Sequence, residues 1–177
     1  LPIIQWYPGH MKKARELVEE NLKLVDVVVE LLDARIPAAS ANPMLREIIA
    51  DKPRIVALNK RDLADEKMTK CWLAYFRDQG LPAVALDSVT GKGMRELLAL
   101  IEKAARYRTE RLVAKGVAAR KARVMILGIP NVGKSSLINR LAGAAKAKTA
   151  DKPGVTRAKQ WIRIGADVDL LDTPGIL

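Results

Sequence analysis

The chain has one cysteine, Cys71, in 177 residues. A lone cysteine excludes an internal disulfide and fits a reducing compartment. In the run Met68-Thr69-Lys70-Cys71-Trp72 an inert helix-packing role is expected for it. No apolar run reaches the ~18 residues that a membrane span needs, so no membrane is expected as a partner. The N-terminus reads Leu1-Pro2-Ile3-Ile4 and then turns polar, which lacks the apolar core of a signal peptide. These absences together point to a cytoplasmic protein. Acidic residues are also in short supply: 20 Asp and Glu stand against 31 Lys and Arg, a formal net charge of +11. That imbalance suggests a polyanionic partner. The excess is uneven, with eight Lys or Arg against one Glu from Lys103 to Arg123, and six against one Asp from Lys146 to Arg163. Either run could be a solvated face. Two of them, with Tyr107 and Trp161 interleaved, point towards RNA or ribosome contact.

What is present suits one domain with a core: 49% of residues are apolar. Trp6 to Met11 forms a turn leading into a helix, with Ala14, Leu17, Val18, Leu22 and Val25 on one face. Asp26 to Asp33 is a nearly continuous apolar strand of the kind buried on both sides in a parallel sheet. A helix around Pro43–Ala50 follows, then a buried strand, Arg54–Leu58. Asp65 is placed as the N-cap of a helix to Gln79, with Met68, Trp72, Tyr75 and Phe76 inward and Gly80 as its stop. A strand at Ala83–Leu86 precedes a long helix from Gly93 that buries Met94, Leu97, Leu98, Ile101 and Ala105. Lys115–Lys121 reads as a linker, followed by a strand at Arg123–Leu127, a helix at Ser135–Leu141, and strands at Gln160–Ile164 and Val168–Leu171. Alternating strands and helices indicate an α/β doubly wound, mostly parallel six-stranded sheet.

The chemistry-bearing residues sit where these strands end. Gly128-Ile129-Pro130-Asn131-Val132-Gly133-Lys134-Ser135 is a GxxxxGKS loop between a strand and a helix, the context that makes the motif specific. Its backbone N–H groups, through Val132, Gly133 and on to Ser136, are placed to curl around phosphates. Lys134 supplies a cation to the β- and γ-phosphates, and the Ser135 hydroxyl is a magnesium ligand. Asn59-Lys60-Arg61-Asp62 can specify guanine. The Asp62 carboxylate accepts from the ring N–H and the exocyclic amine, Asn59 bonds the Hoogsteen edge, and the Lys60 stem covers the base. Asp172-Thr173-Pro174-Gly175 ends a strand after the phosphate loop, so Asp172 would hold magnesium through water and the Gly175 N–H would sense the γ-phosphate. Thr156 is the choice for a switch threonine on magnesium, with Thr149 the alternative. Asp87-Ser88-Val89-Thr90 sits where a serine-led loop would cover the guanine oxygen.

The order of these motifs is unusual, because the base-reading motif comes about seventy residues before the phosphate loop. With the segments Trp6-Tyr7-Pro8-Gly9-His10-Met11, Asp33-Ala34-Arg35-Ile36-Pro37, GIPNVGKSS, DKPGVT and DTPGIL, the chain resembles the circularly permuted GTPases of the YlqF/RbgA family, ribosome biogenesis GTPase A. The resemblance spans essentially the whole sequence. It implies a P-loop NTPase fold, a cytoplasmic, monomeric GTPase, and a role in late assembly of the large ribosomal subunit with ribosomal RNA as partner. Ile176 stands where many GTPases carry the water-orienting glutamine, and the resemblance implicates His10 in its place. It also matches Asn131 to a potassium-binding asparagine. The expected organisation is an N-terminal turn and helix (1–25) and a G domain (26–177). The latter divides into a guanine half (26–114), a linker (115–122) and a phosphate and switch half (123–177). The sequence ends at Leu177, so the family's switch helix and C-terminal RNA-binding domain are expected to be lacking. Two other readings compete: a different permuted GTPase, and a nucleotide-gated RNA-binding module with negligible hydrolysis.

Overall fold

A computed structural model of the chain describes residues 8–49, 52–143, 160–165 and 167–172, with side chains from Lys12 onward except Gln160. The sheet is built around β1 (Val27–Asp33), whose seven residues are all buried. A largely apolar run can be buried on both faces only if helices cover both, which is the parallel doubly wound solution. β1 pairs in parallel with β2 (Arg54–Asn59) on one side and β4 (Ala122–Leu127) on the other. β3 (Ala83–Ala85) extends the sheet beyond β2, and β6 (Val168–Asp172) extends it beyond β4. β5 (Gln160–Arg163) closes the edge as the one antiparallel strand among those described, giving the order β3-β2-β1-β4-β6-β5.

Alternation of side chains along the strands sends Val27, Val29, Leu31, Ile55, Val124 and Ile126 to one face. There they meet α5 (Met94–Ala114) through Leu97, Ile101 and Ala105, and α6 (Lys134–Ala142) through Leu137 and Ile138. On the opposite face Val28, Met125, Leu127 and Leu171 pack against α1 (Pro8–Leu22) through Val18 and Leu22, and against α3 (Pro43–Ile49) through Leu45 and Ile49. Leu32, Val56 and Leu58 receive Phe76 of α4 (Glu66–Asp78). Each of these fully buried aliphatic side chains stabilises the fold by about 1.5–3 kcal/mol relative to exposure.

Several local expectations are corrected. Leu17 is 40% exposed, so the inner face of α1 runs through Val18 and Leu22. α1 starts at Pro8, which puts His10 in the first helical turn rather than in a turn before it. On α4, Met68 and Tyr75 are exposed, while Thr69 and Phe76 are the buried pair. Tyr75 packs edge-on against Trp72 and Phe76 instead of entering the core. Cys71 is exposed, so it does not pack the helix. The N-cap role of Asp65 holds, its side chain accepting from Met68 N at 2.8 Å. A short helix α2 (Pro37–Ser40) and a 3-10 turn at Arg61–Leu63 add to the elements read from sequence. Residues 115–121 carry no helix or strand apart from the α5 C-cap at Lys115.

Candidate functional site

β1, β2, β3, β4 and β6 all point their carboxyl ends to one edge of the sheet, so the loops that follow them share one surface. The chain turns outwards in both directions from the β1–β4 pair, and such a switch point opens the crevice where parallel α/β sheets take ligands. This geometry explains why a permuted chain can keep its site: the loops stay on one edge whichever strand comes first.

Asn59, the last residue of β2, is buried and sits at the centre of this surface. Its Nδ2 donates to Ser88 Oγ at 3.1 Å and to Val132 O at 2.7 Å, while its Oδ1 accepts from Ser88 N at 3.1 Å. The amide orientation is unambiguous, because a backbone carbonyl only accepts and a backbone N–H only donates. One side chain thus fastens the base-reading loop, the serine loop and the phosphate loop together. Both of its N–H groups have partners within the protein. Gly133 is required for the same reason: its φ is +92°, and a Cβ there would lie 2.3 Å from Asn59 Nδ2.

Lys60 adds a second cross-link. Its backbone is left-handed, with φ 60°, and its Nζ donates to the Asn131 carbonyl at 2.7 Å. Asn131 is also left-handed at φ 68°, a conformation that asparagine tolerates better than most residues. Asp33 at the end of β1 lies 4.0 Å from Lys60 Nζ and is held by Arg35 through Nε at 3.0 Å and Nη2 at 2.8 Å. The Arg35 hydrogen bond keeps the Asp33 carboxyl below the usual carboxylate range. Asp62 lies in the exposed 3-10 turn and accepts no side-chain hydrogen bond from a described residue, which leaves its carboxylate available to a ligand.

Asp87 is bonded within its own loop. Its Oδ1 accepts from Val89 N at 2.9 Å and Thr90 N at 3.3 Å, and its Oδ2 from Thr90 Oγ1 at 2.8 Å. These bonds, that from the Thr90 hydroxyl first, hold its carboxyl below the ordinary range and shape the serine loop. Arg140 of α6 reaches the same loop, donating from Nε to Ser88 O at 3.3 Å and from Nη2 to Val89 O.

α6 opens with Lys134, Ser135 and Ser136 directly after Gly133, a helix start of the kind whose N–H groups a bound anion can engage. Burial holds the Lys134 ammonium below the usual lysine range, with the nearby Asp172 charge opposing that shift. Asp172 ends β6, beside β4, so the strand that feeds the phosphate loop and the strand that carries the acid are neighbours. Ser135 is exposed at the helix mouth. Thr149, Thr156, Gly175, Ile176 and the His10 side chain lie outside the described residues.

The residues missed from sequence are Asp33, Arg35 and Arg140. The first two were visible only as part of a family segment, and Arg140 has no local signal, since its partners are 51 and 52 positions away. A further correction concerns the basic run. Arg120 is committed to the buried Asp26 by bonds of 2.8 and 3.0 Å, and the Arg123 guanidinium lies 4.8 Å over the Trp161 ring.

Residues 123–177 match the family model described as 50S ribosome-binding GTPase. The ribosome biogenesis GTPase A of Bacillus cereus is 54% identical over 175 residues, which is 99% of this chain and 59% of that protein. Its counterpart in Thermotoga maritima is 38% identical, over 98% of this chain and 59% of that protein. The crystal structure of GNP-bound YlqF from T. maritima superposes with a TM-score of 0.64 at 34% identity, over 93% of this chain and 58% of that one. The chain spans about three fifths of the length of these relatives. With the motifs, their permuted order and the sheet that gathers them all in agreement, the chain belongs to the ribosome biogenesis GTPase A family of circularly permuted GTPases.

Proposed function

We propose that this chain binds GTP, hydrolyses it to GDP and phosphate, and serves in the cytoplasm as an assembly factor for the large ribosomal subunit. The observation that carries the reading is the pair of cross-links from Asn59 to Val132 and from Lys60 to Asn131. They hold a base-reading loop against a phosphate loop at a fixed separation, an arrangement with a use only if one ligand carries both a base and phosphates. The names of the relatives support the ribosomal partner.

In this reading Asp62 accepts from the guanine N–H groups, Lys60 lays its stem along the base, and Ser88 lines the pocket on the guanine oxygen side. The N–H groups of Val132 to Ser136 cradle the phosphates, and Lys134 places its charge between the β- and γ-phosphates. The donors present suit magnesium: Ser135 and Asp172 are hard oxygen ligands, and no cluster of three His, Cys, Asp or Glu exists among the described residues to hold a metal by protein alone. A site with so few protein ligands fits a cation shared with phosphates. Thr156 and Gly175 would complete it from the switch side, and Asn131 would hold potassium through its exposed amide. Bound magnesium neutralises charge on the phosphate oxygens, and potassium beside them adds positive charge where it develops. His10 is proposed to orient or deprotonate the attacking water. α1 ends next to the entry of β1, and 15 residues of helix span ~22 Å. That length is enough for the first turn of α1 to reach the far edge of the sheet, where His10 would act.

The test is twofold. Asp62→Asn exchanges an acceptor for a donor-bearing amide, so competition binding should show a loss of guanine and a gain of xanthine nucleotides, a change of a few kcal/mol in preference. Single-turnover hydrolysis by the wild type should rise strongly when large ribosomal subunits are added. Absence of any stimulation, with GTP binding intact, would instead favour a nucleotide-gated binding module.

A further inference from the structure

The edge of the sheet opposite the nucleotide loops carries a second concave surface, of about 750 Å³. Its floor is the entry of β2 and β3, and its walls are α3 and one stripe of α5. The stripe follows from helical spacing: with Leu97, Ile101 and Ala105 turned into the sheet, Lys103, Tyr107 and Arg111 fall four apart on an adjoining line, and Arg108 falls beside them. Arg46, Lys52 and Arg54 complete a ring of six cations.

Their partners separate this surface from an ordinary solvated face. No carboxylate among the described lining residues opposes the six, and Asp51, next in sequence to Lys52, lies outside the described residues. Arg54 is taken by the buried Glu30, at 3.2 Å. The remaining five have no described carboxylate within ion-pair distance. Lys52 is crowded enough that burial and the charges of Arg108 and Arg120 hold its ammonium below the usual lysine range. The Arg108 Nε is buried with no hydrogen-bond partner. Tyr107, 58% exposed, presents its ring beside the Arg111 guanidinium, which lies 5.6 Å from its centroid. Six cations against the two nearby counter-charges, Glu30 and Asp26, raise the energy of the free protein, and an unpartnered guanidinium N–H is costly until something accepts from it.

We propose that this groove is an RNA-docking surface. Its cations track a sugar-phosphate backbone while Tyr107 and Arg111 form a platform for an unpaired base. An acidic peptide would match the charge but would leave the exposed ring and guanidinium platform without a use. The proposal rests on the reading that a ribosomal particle is the partner, and adds which face meets it: the one turned away from the nucleotide. The particle would then be held by one edge of the sheet while the other stays open to GTP.

The experiment uses a fluorescent single-stranded RNA of about 20 nucleotides, with isolated large ribosomal subunits in parallel, titrated across salt concentrations. The variant Lys103→Ala/Arg108→Ala/Arg111→Ala is compared with a charge-matched control on other helices, Lys13→Ala/Lys67→Ala/Lys70→Ala. Guanine-nucleotide affinity, expected to be unchanged in both, confirms the fold. The groove variant should lower the slope of log affinity against log salt by about 2 and weaken RNA binding by roughly ten- to a hundredfold, while the control stays near wild type. Tyr107→Leu should weaken RNA binding severalfold with the salt slope retained. Equal losses in both triple variants, or no loss in the groove variant, would overturn the groove while leaving the ribosomal reading standing if the wild type still binds subunits. Equal competition by polyglutamate, with Tyr107→Leu unaffected, would overturn it in favour of an acidic polypeptide. A wild type that binds neither RNA nor subunits would refute the ribosomal reading itself, and the groove with it.

Discussion

Asn59, which opens the NKxD motif, bonds two neighbouring loops through its side-chain amide. Removing its amide would leave the Ser88 N–H and the Val132 carbonyl without partners, each costing about 1–3 kcal/mol. Asn59→Ala should therefore lower guanine-nucleotide affinity by roughly ten- to a hundredfold without a change in base preference, as read by competition with fluorescent GDP. Affinity within twofold of wild type would mean that the three loops hold their places unaided. Lys134 makes a different prediction. Burial depresses its ammonium pKa in the free protein, and phosphates would raise it again. Protons should then be taken up on binding at a pH above the depressed value and below the raised one. Affinity should fall as pH rises through the free-protein value, which lies under the ordinary lysine range. Calorimetry at alkaline pH in two buffers of different ionisation enthalpy would read the uptake; none at any pH below the ordinary lysine pKa would contradict the burial argument.

Among the elements, α1 carries the boldest expectation. Its hold on the sheet comes from Val18 and Leu22, two and three turns below His10, so His10→Ala should leave folding and GTP affinity nearly unchanged. Particle-stimulated turnover should fall by roughly 10²–10⁴, the usual contribution of a positioned acid–base group. Stimulated turnover close to wild type would leave His10 as a helix-start residue. The strands were the most legible elements in the sequence, because runs such as VVVELLD have one physical solution, burial on both faces. The helix faces were less so. On α4, apolar character misled: Met68 and Tyr75 are large and apolar yet face outwards, and the small Thr69 takes the inward place, bonding its hydroxyl to Asp65 O at 2.8 Å. The phosphate and guanine loops were legible as motifs, since each is local. What joins them was not, because the bonds of Asn59, Lys60 and Arg140 span fifty to seventy-odd positions and leave no periodic trace.

At the scale of the whole molecule, the segment between α5 and β4 is clasped. Arg120 grips Asp26 across 94 positions, and the Arg123 N–H bonds the same carboxylate at 2.9 Å. Asp26 has only 4% of its side chain exposed, so Arg120→Ala would strand a buried charge. Removing one partner of a buried pair costs 3–5 kcal/mol; with Arg120 itself partly exposed, about 2–3 kcal/mol is expected, a fall in Tm of roughly 5–10 °C. Lys121→Ala should change it little. Equal melting of the two variants would show that the clasp is not a structural bond. The same join has a consequence for how the protein is made. β1 pairs with β2 early, but its other edge must await β4, with Val27 set against Val124. At about 5–20 residues per second that edge emerges from a translating ribosome some seconds before its mate. For that interval the nascent chain presents a largely apolar strand with one open flank, the kind of template that pairs with a neighbouring copy. A chain of this design would itself be a natural client of the chaperones that wait at the exit tunnel.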